Sequence, residues 1–204
     1  MGKSDSLADT KKEDMKARIL DAAMDLFREK GYEGISIRNI AERISYSPGA
    51  IYLYYKDKSE LYYALSFEAA AVKRDHLMPS MSLTDPWERL IDFGRRYIDF
   101  GMKHPDLYDL LFLTRAPMDY IENQECWTLG IATHSFFVQT VQACVDQRYF
   151  KSTDAQAIAY TLWCHAHGLV SLFVRERMRM YPEHEREALA KRSFDMIVKM
   201  AECL

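Results

Sequence analysis

Apolar residues recur every three to four positions along most of the chain, and no strand-like alternation of any length appears after Tyr55. Met15, Ile19, Ala22, Ala23, Leu26 and Phe27 form one helical face, closed by Gly31 at the C-terminal cap. Ile37, Ile40, Ala41 and Ile44 form a second face, and the turn Ser45-Tyr46 follows. Ser47 is a suitable N-cap and Pro48 suits the first position of a short third helix. At 100° per residue, Ile51 and Tyr55 of that helix point inward, while Gly49, Tyr52 and Leu53 point outward with Ala50 at the edge. Asp57-Lys58-Ser59-Glu60 reads as a capping box. It opens a helix expected to reach about Met78, which is ~22 residues or ~33 Å long.

The helical period continues to the end. Asp85-Pro86 opens a helix with Leu90, Phe93, Gly94, Tyr97 and Gly101 on one face, and His104-Pro105 breaks it. A short helix through Leu107, Leu110 and Leu111 follows, then a loop at 115–123 around Pro117. Three longer helices are predicted near 124–147, 153–179 and 182–202. The first of the last two carries the stripe Ala155, Ile158, Ala159, Leu162, Ala166, Leu169, Val170 and Phe173. The second carries Leu189, Ser193, Met196, Ile197, Met200 and Leu204. Paired stripes of this kind suit a four-helix homodimer interface, and Gly168 is read as a point of close helix approach. The expected fold is all-α: an arm at 1–10, a three-helix head at 11–56, and a larger helical domain at 57–204.

Two helices joined by a tight turn between Ser36 and Lys58 make a helix-turn-helix, whose second helix enters the DNA major groove. Pro48, Gly49 and Ala50 are small enough for the backbone to approach base edges, and the Ala50 methyl suits a thymine methyl. Tyr52 and Ser36 have hydroxyls to offer to phosphates. Lys58 stands in the first turn of its helix, against the helix dipole by about 0.3–1 kcal/mol, and a phosphate would compensate it.

The stretch Gly31-Tyr32-Glu33-Gly34-Ile35-Ser36-Ile37-Arg38-Asn39-Ile40-Ala41, with Ser47-Pro48-Gly49-Ala50-Ile51-Tyr52-Leu53-Tyr54-Tyr55-Lys56-Asp57-Lys58-Ser59-Glu60-Leu61, resembles the TetR family of bacterial transcriptional regulators. The resemblance implies a homodimer that binds a palindromic operator on double-stranded DNA, usually represses, and lets go when a small molecule binds the C-terminal domain. By position it implies DNA contacts from Ser36, Arg38, Ser47, Pro48, Gly49, Ala50, Tyr52, Leu53 and Lys58. Ser45 stands where the family often has a turn glycine, Tyr46 where it often has a small aliphatic, and Leu53 where it often has a polar or aromatic residue. A leucine donates no hydrogen bond, so the operator is not legible in this helix. Trp163-Cys164-His165-Ala166-His167-Gly168, with His104-Pro105-Asp106-Leu107-Tyr108, resembles the WHG type of TetR-family C-terminal domain.

Composition changes this picture only at the edges. The net charge is −3, and residues 1–60 hold 11 Lys+Arg against 11 Asp+Glu, so DNA affinity must come from a few placed cations. That neutral head and Leu53 leave an alternative, a helical ligand-binding or scaffolding protein whose helix-turn-helix no longer binds DNA. Four cysteines at 126, 144, 164 and 203 have no C-x-x-C spacing, as expected of free thiols in the cytoplasm. There is no signal-peptide pattern and no uninterrupted apolar run of ~18 residues, so no membrane partner is expected. Cys164 and His167 lie three apart on a helix, but two ligands make no metal site, and no cofactor is expected. Neither a nucleophile elbow nor a phosphate loop is present, which argues against an enzyme. With 13% aromatic residues, the expectation is an apolar effector pocket walled by Phe93, Tyr97, Phe100, Phe112, Trp127 and Trp163.

Overall fold

A computed structural model describes residues 4–115 and 125–201, with side chains from 10 to 115 and from 128 to 201. Every regular element among these residues is helical: α1 (Ser4–Lys30), α2 (Ile37–Arg43), α3 (Pro48–Ile51), α4 (Lys58–Leu77), α5 (Pro86–Lys103), α6 (Pro105–Tyr108), α7 (Glu125–Asp146), α8 (Ala155–Val174) and α9 (Glu183–Ala201), with short 3-10 and π turns between them. Helix α1 starts inside the stretch expected to be an arm. Polarity suggested an arm, but no glycine or proline lies between Lys3 and Lys30, so nothing stops the helix from running back to Ser4. The expected loop at 115–123 falls, but for Arg115, outside the described residues, as does Leu204.

The chain packs as two units, the first built on Met1–Glu68 and the second on Ala69–Leu113 with Trp127–Leu204. The division falls inside α4 rather than at residue 57. Leu61, Tyr62 and Leu65 are buried in the first unit, and the Tyr62 ring meets Tyr32 edge-on at 4.9 Å. That unit closes on Ile19, Ala23, Leu26, Phe27, Ile40, Ala41, Ile51 and Tyr55. Gly31 takes φ +68° and its N–H bonds the Phe27 carbonyl at 2.8 Å, the left-handed cap read from sequence. Helix α2 ends in a Schellman motif with Ser45 at φ +60°, where the Tyr46 N–H reaches the Ala41 carbonyl and the Ser45 N–H the Glu42 carbonyl. Ser45 therefore adopts the backbone that its position asks of glycine.

In the second unit, the face of α5 holding Leu90, Phe93, Tyr97 and Gly101 is buried, as its spacing predicts. Helix α8 packs on α5 and α9 through Ala155, Ile158, Ala159, Ala166 and Val170. The α8 stripe expected to serve a dimer is therefore mainly the intrachain core face. The opposite face exposes Tyr160 and Leu172. On α9, Phe194 and Ala201 are buried while Met196 and Met200 of the expected stripe are exposed. Helix α8 ends at Val174, short of 179, because Glu176 enters the left-handed region at φ +50° and the Arg177 N–H turns back to the Leu172 carbonyl at 2.8 Å. Among the described residues, α8 alone is long and apolar enough to cross a membrane by length and composition.

Close approach of helices depends on a different glycine from the one expected. A β-carbon on Gly101 would overlap Val170 Cγ1, whereas one on Gly168 meets nothing within 4 Å. Gly101→Ala should therefore cost about 1–3 kcal/mol of unfolding free energy through overpacking. Gly168→Ala should be neutral or stabilising by up to about 1 kcal/mol. Chemical denaturation of the two variants beside the parent checks both signs.

Candidate functional site

The first unit displays the start of α3. The Ser47 hydroxyl accepts the Ala50 N–H at 3.3 Å, and Pro48 occupies the first turn where its missing N–H costs nothing. Ile51 (1% exposed) and Tyr55 (6%) anchor the segment from behind, and burial pushes the Tyr55 phenol up to about 12, so it stays neutral. On the outer side Ser47, Pro48 and Gly49 are exposed, with Tyr52 and Leu53 at 55% and 78%, and Ala50 is half-buried. The helical projection made from sequence thus holds residue by residue, although the helix is a single turn. Ser36 caps α2, its hydroxyl accepting the Asn39 N–H at 3.1 Å. Arg38 is exposed and lies along α2 with its Nε 2.9 Å from Glu42.

Lys58 has a local partner that sequence reading missed. Its ammonium sits 4.0 Å from the centre of the Tyr32 ring, and burial lowers its pKa while the Glu33 carboxylate opposes that shift. A cation over a ring face accounts for a lysine in this first turn without any phosphate. The signal for it was Tyr32 itself, one residue after the Gly31 cap. The capping box is present in altered form: Asp57 accepts the Glu60 N–H at 2.9 Å, and Glu60 reaches back to the Lys56 N–H.

The second unit encloses a cavity of about 380 Å³. Phe93, Tyr97, Phe112 and Trp163 line it, as expected. Phe100 does not: it shares the buried face of α5 with Phe93 and Tyr97 but stands about two turns beyond Phe93, is 0% exposed and packs beside His76 and His104 in the core. The Trp127 side chain lies outside the described residues. Lining residues not anticipated include Lys73, Trp87, His134 and Phe194. Lys73 was legible as a lysine on the buried stripe of α4 with Leu65, Ala69 and Leu77.

A polar chain stiffens one side of this cavity. The Trp163 Nε1–H donates to the Tyr97 oxygen at 3.2 Å, Tyr97 and Tyr108 share a hydrogen bond at 2.9 Å, and Tyr108 lies 2.6 Å from His167 Nδ1. An indole N–H only donates, so Tyr97 is the acceptor from Trp163, and the Tyr97 hydroxyl also lies 3.3 Å from His167 Nδ1. Burial lowers the His167 pKa, which favours its neutral imidazole. Burial likewise raises both phenols, Tyr97 to about 12 and Tyr108 further. Cys164 is exposed, and His165 bonds the Thr161 carbonyl at 2.9 Å, so His167 and Cys164 face different surroundings. Among the described residues no group of three His, Cys, Asp or Glu is placed to hold a metal. Cys144 is buried and its thiol is pushed up to about 12 by that burial, which makes it unreactive.

Residues 19–65 match the description "Bacterial regulatory proteins, tetR family", and residues 90–199 match "Tetracyclin repressor-like, C-terminal domain". The second match spans more than half of the chain and contains the Trp163–Gly168 stretch. The chain belongs to the TetR family of bacterial regulatory proteins. It is 43% identical over 53 residues to the HTH-type transcriptional repressor AcnR of Corynebacterium diphtheriae, covering 26% of this chain and 28% of that protein. It is 38% identical over 48 residues to IcaR, the negative transcriptional regulator of the biofilm operon icaADBC of Staphylococcus epidermidis, covering 24% and 26%. The chain thus spans little more than a quarter of those relatives' lengths. Its fold is similar to a tetR-family regulatory protein from Rhodococcus RHA1, with a TM-score of 0.70, 23% identity and coverage of 93% of this chain and 97% of that one. The fatty acid degradation regulator FadR of Bacillus halodurans has a TM-score of 0.70 at 18% identity, covering 90% and 94%.

The sign of the His167 shift sets a pH dependence. Its folded pKa lies below the ordinary 6.5, so below that value the unfolded chain takes up a proton that the folded chain resists. Its contribution to stability is complete above about pH 6.5 and declines as pH falls from there through the folded pKa. Urea unfolding at about pH 7.5 and about pH 5.5 should show a larger loss for the parent than for His167→Gln. Equal losses would remove His167 from the account.

Proposed function

We propose that the protein is a cytoplasmic transcriptional regulator that binds a palindromic operator as a homodimer, represses from it, and is released by a small, mostly apolar effector held in the second unit. The observation that carries the DNA reading is the exposed outer edge of α3, residues 47–53, backed by buried Ile51 and Tyr55. Ser36, Arg38, Ser47, Pro48, Gly49, Ala50, Tyr52, Leu53 and Lys58 are the proposed DNA contacts. Leu53 enters as an apolar contact, suited to a thymine methyl rather than to a hydrogen-bonding edge. Two heads read successive major grooves when they are about 34–36 Å apart, and an effector that favours another spacing weakens binding. A coupling of about 1–3 kcal/mol corresponds to a 5–150-fold loss.

Selection from a random duplex pool is expected to enrich a palindrome. On that site Arg38→Ala and Lys58→Ala should each weaken binding and make the salt slope shallower by about one, with a similar loss on random DNA. No enrichment of any duplex supports the other reading instead, a helical ligand-binding protein that has left DNA, which the neutral head favours. Unchanged binding by Lys58→Ala means that Tyr32 alone explains this lysine.

The dimer surface is proposed on the outer faces of α8 and α9, where Tyr160, Leu172, Met196 and Met200 are 50–64% exposed. Leu172→Glu combined with Met196→Glu should convert the dimer to a monomer in sedimentation velocity without loss of helical circular dichroism. A dimer that survives both changes puts the interface elsewhere.

A further inference from the structure

The chemistry of the cavity wall narrows the effector class, a step that rests on the proposed effector site. We infer that the effector is an amphiphile with an apolar body and one acid group, in its simplest form a medium-chain carboxylate held by Lys73. Lys73 is 9% exposed and lines the cavity, with its ammonium 5.0 Å from the centre of the Phe112 ring. The rest of the wall is chiefly Leu, Ile, Phe and Trp, and no Asp or Glu lines the cavity among the described residues.

The His134 ring meets Phe137 and Trp163 edge-on in the same wall. Tyr97 and Trp163 bond each other, and the Thr133 hydroxyl donates to the Leu129 carbonyl at 2.9 Å. A wholly apolar ligand would cover the Lys73 ammonium with hydrocarbon and return nothing for the water it displaces. An acid group makes a charge-assisted hydrogen bond there, strengthened by the low local dielectric. An ammonium has three donors, so the acid joins the contacts that Lys73 already makes and requires no vacancy. A cationic ligand would be repelled, and a phosphate dianion would find one lysine and one histidine, His134, in a wall that is chiefly hydrocarbon. At roughly 30 Å³ for each water-sized group, the cavity takes about a dozen non-hydrogen atoms, the size of decanoate.

Trp87 and Trp163 both line the cavity, so intrinsic fluorescence reports its filling. The intact protein is titrated with decanoate, methyl decanoate and decanol near neutral pH. Decanoate should bind at least about tenfold more tightly than either neutral compound, the scale of one hydrogen bond to a charged group. Lys73→Met should erase that preference and Lys73→Arg should keep it. Equal affinity of acid and alcohol, or an acid preference that survives Lys73→Met, overturns the role of Lys73 and leaves the cavity as an effector site. Binding of none of the three overturns both readings. The parent comparison needs no variant, so it stands if Lys73→Met does not fold.

Discussion

A helix of four residues cannot hold itself together in water, and everything the first unit presents to a partner depends on how α3 is held. Two side chains do most of that work. Ile51 and Tyr55 are buried against the rest of the unit, and each removes well over a methylene's worth of apolar surface from water. Ser47 and Pro48 then set the direction in which the backbone enters the turn. With the inner face committed, the outer face is left to Ser47, Pro48, Gly49, Tyr52 and Leu53. The display is a consequence of the anchoring, and a change at Ile51 would disturb it as surely as a change at Leu53.

The same logic operates in the second unit with polar groups added. Gly101 lets α5 and α8 meet closely at Val170, and that contact brings Tyr97, Tyr108, Trp163 and His167 within hydrogen-bonding range of one another. Tyr97 and Trp163, which line the cavity, are bonded to each other, and Tyr108 and His167 continue the chain behind them. Lys73 differs because its charge keeps an affinity for an anion whatever its present contacts. Helix α4 gives residues to both units, Lys58 through Glu68 to the first and Ala69 through Leu77 to the second. In the proposed effector site, Lys73 therefore belongs to the same helix that carries Leu61 and Tyr62 of the first unit's core.

The elements were largely legible along the chain because their signals are local. Capping serines and aspartates, prolines at first turns and a glycine at a left-handed cap act within four residues of themselves, and Ser36, Ser47, Asp85 and Gly31 all behave accordingly. Less legible were the ends marked by left-handed residues other than glycine. Ser45, Arg148 and Glu176 all follow helix ends with positive φ; the first two ends were read to within about a residue, but nothing in the identity of Glu176 marks a stop, and α8 was read too long for that reason. Four of the six aromatic residues expected to line the cavity have that position, while Phe100 lies in the sealed core, because helical spacing distinguishes inside from outside but not how far along the inner face a cavity extends.

From the order of residues alone follow the all-α character, the helix-turn-helix, the inward and outward faces of α3, and the buried face of α5. All of these are set by period and by caps, which depend on near neighbours in the chain. The tertiary structure decided the rest: the partnership of Lys58 with Tyr32, the route of hydrogen bonds from Trp163 to His167, the glycine at which helices touch, and the placing of Lys73 in a hydrocarbon wall. Each of these depends on residues well apart in the chain, 26 positions for Tyr32 and Lys58 and 59 for Tyr108 and His167. Pairing over such separations is chosen by packing, and no local pattern encodes it.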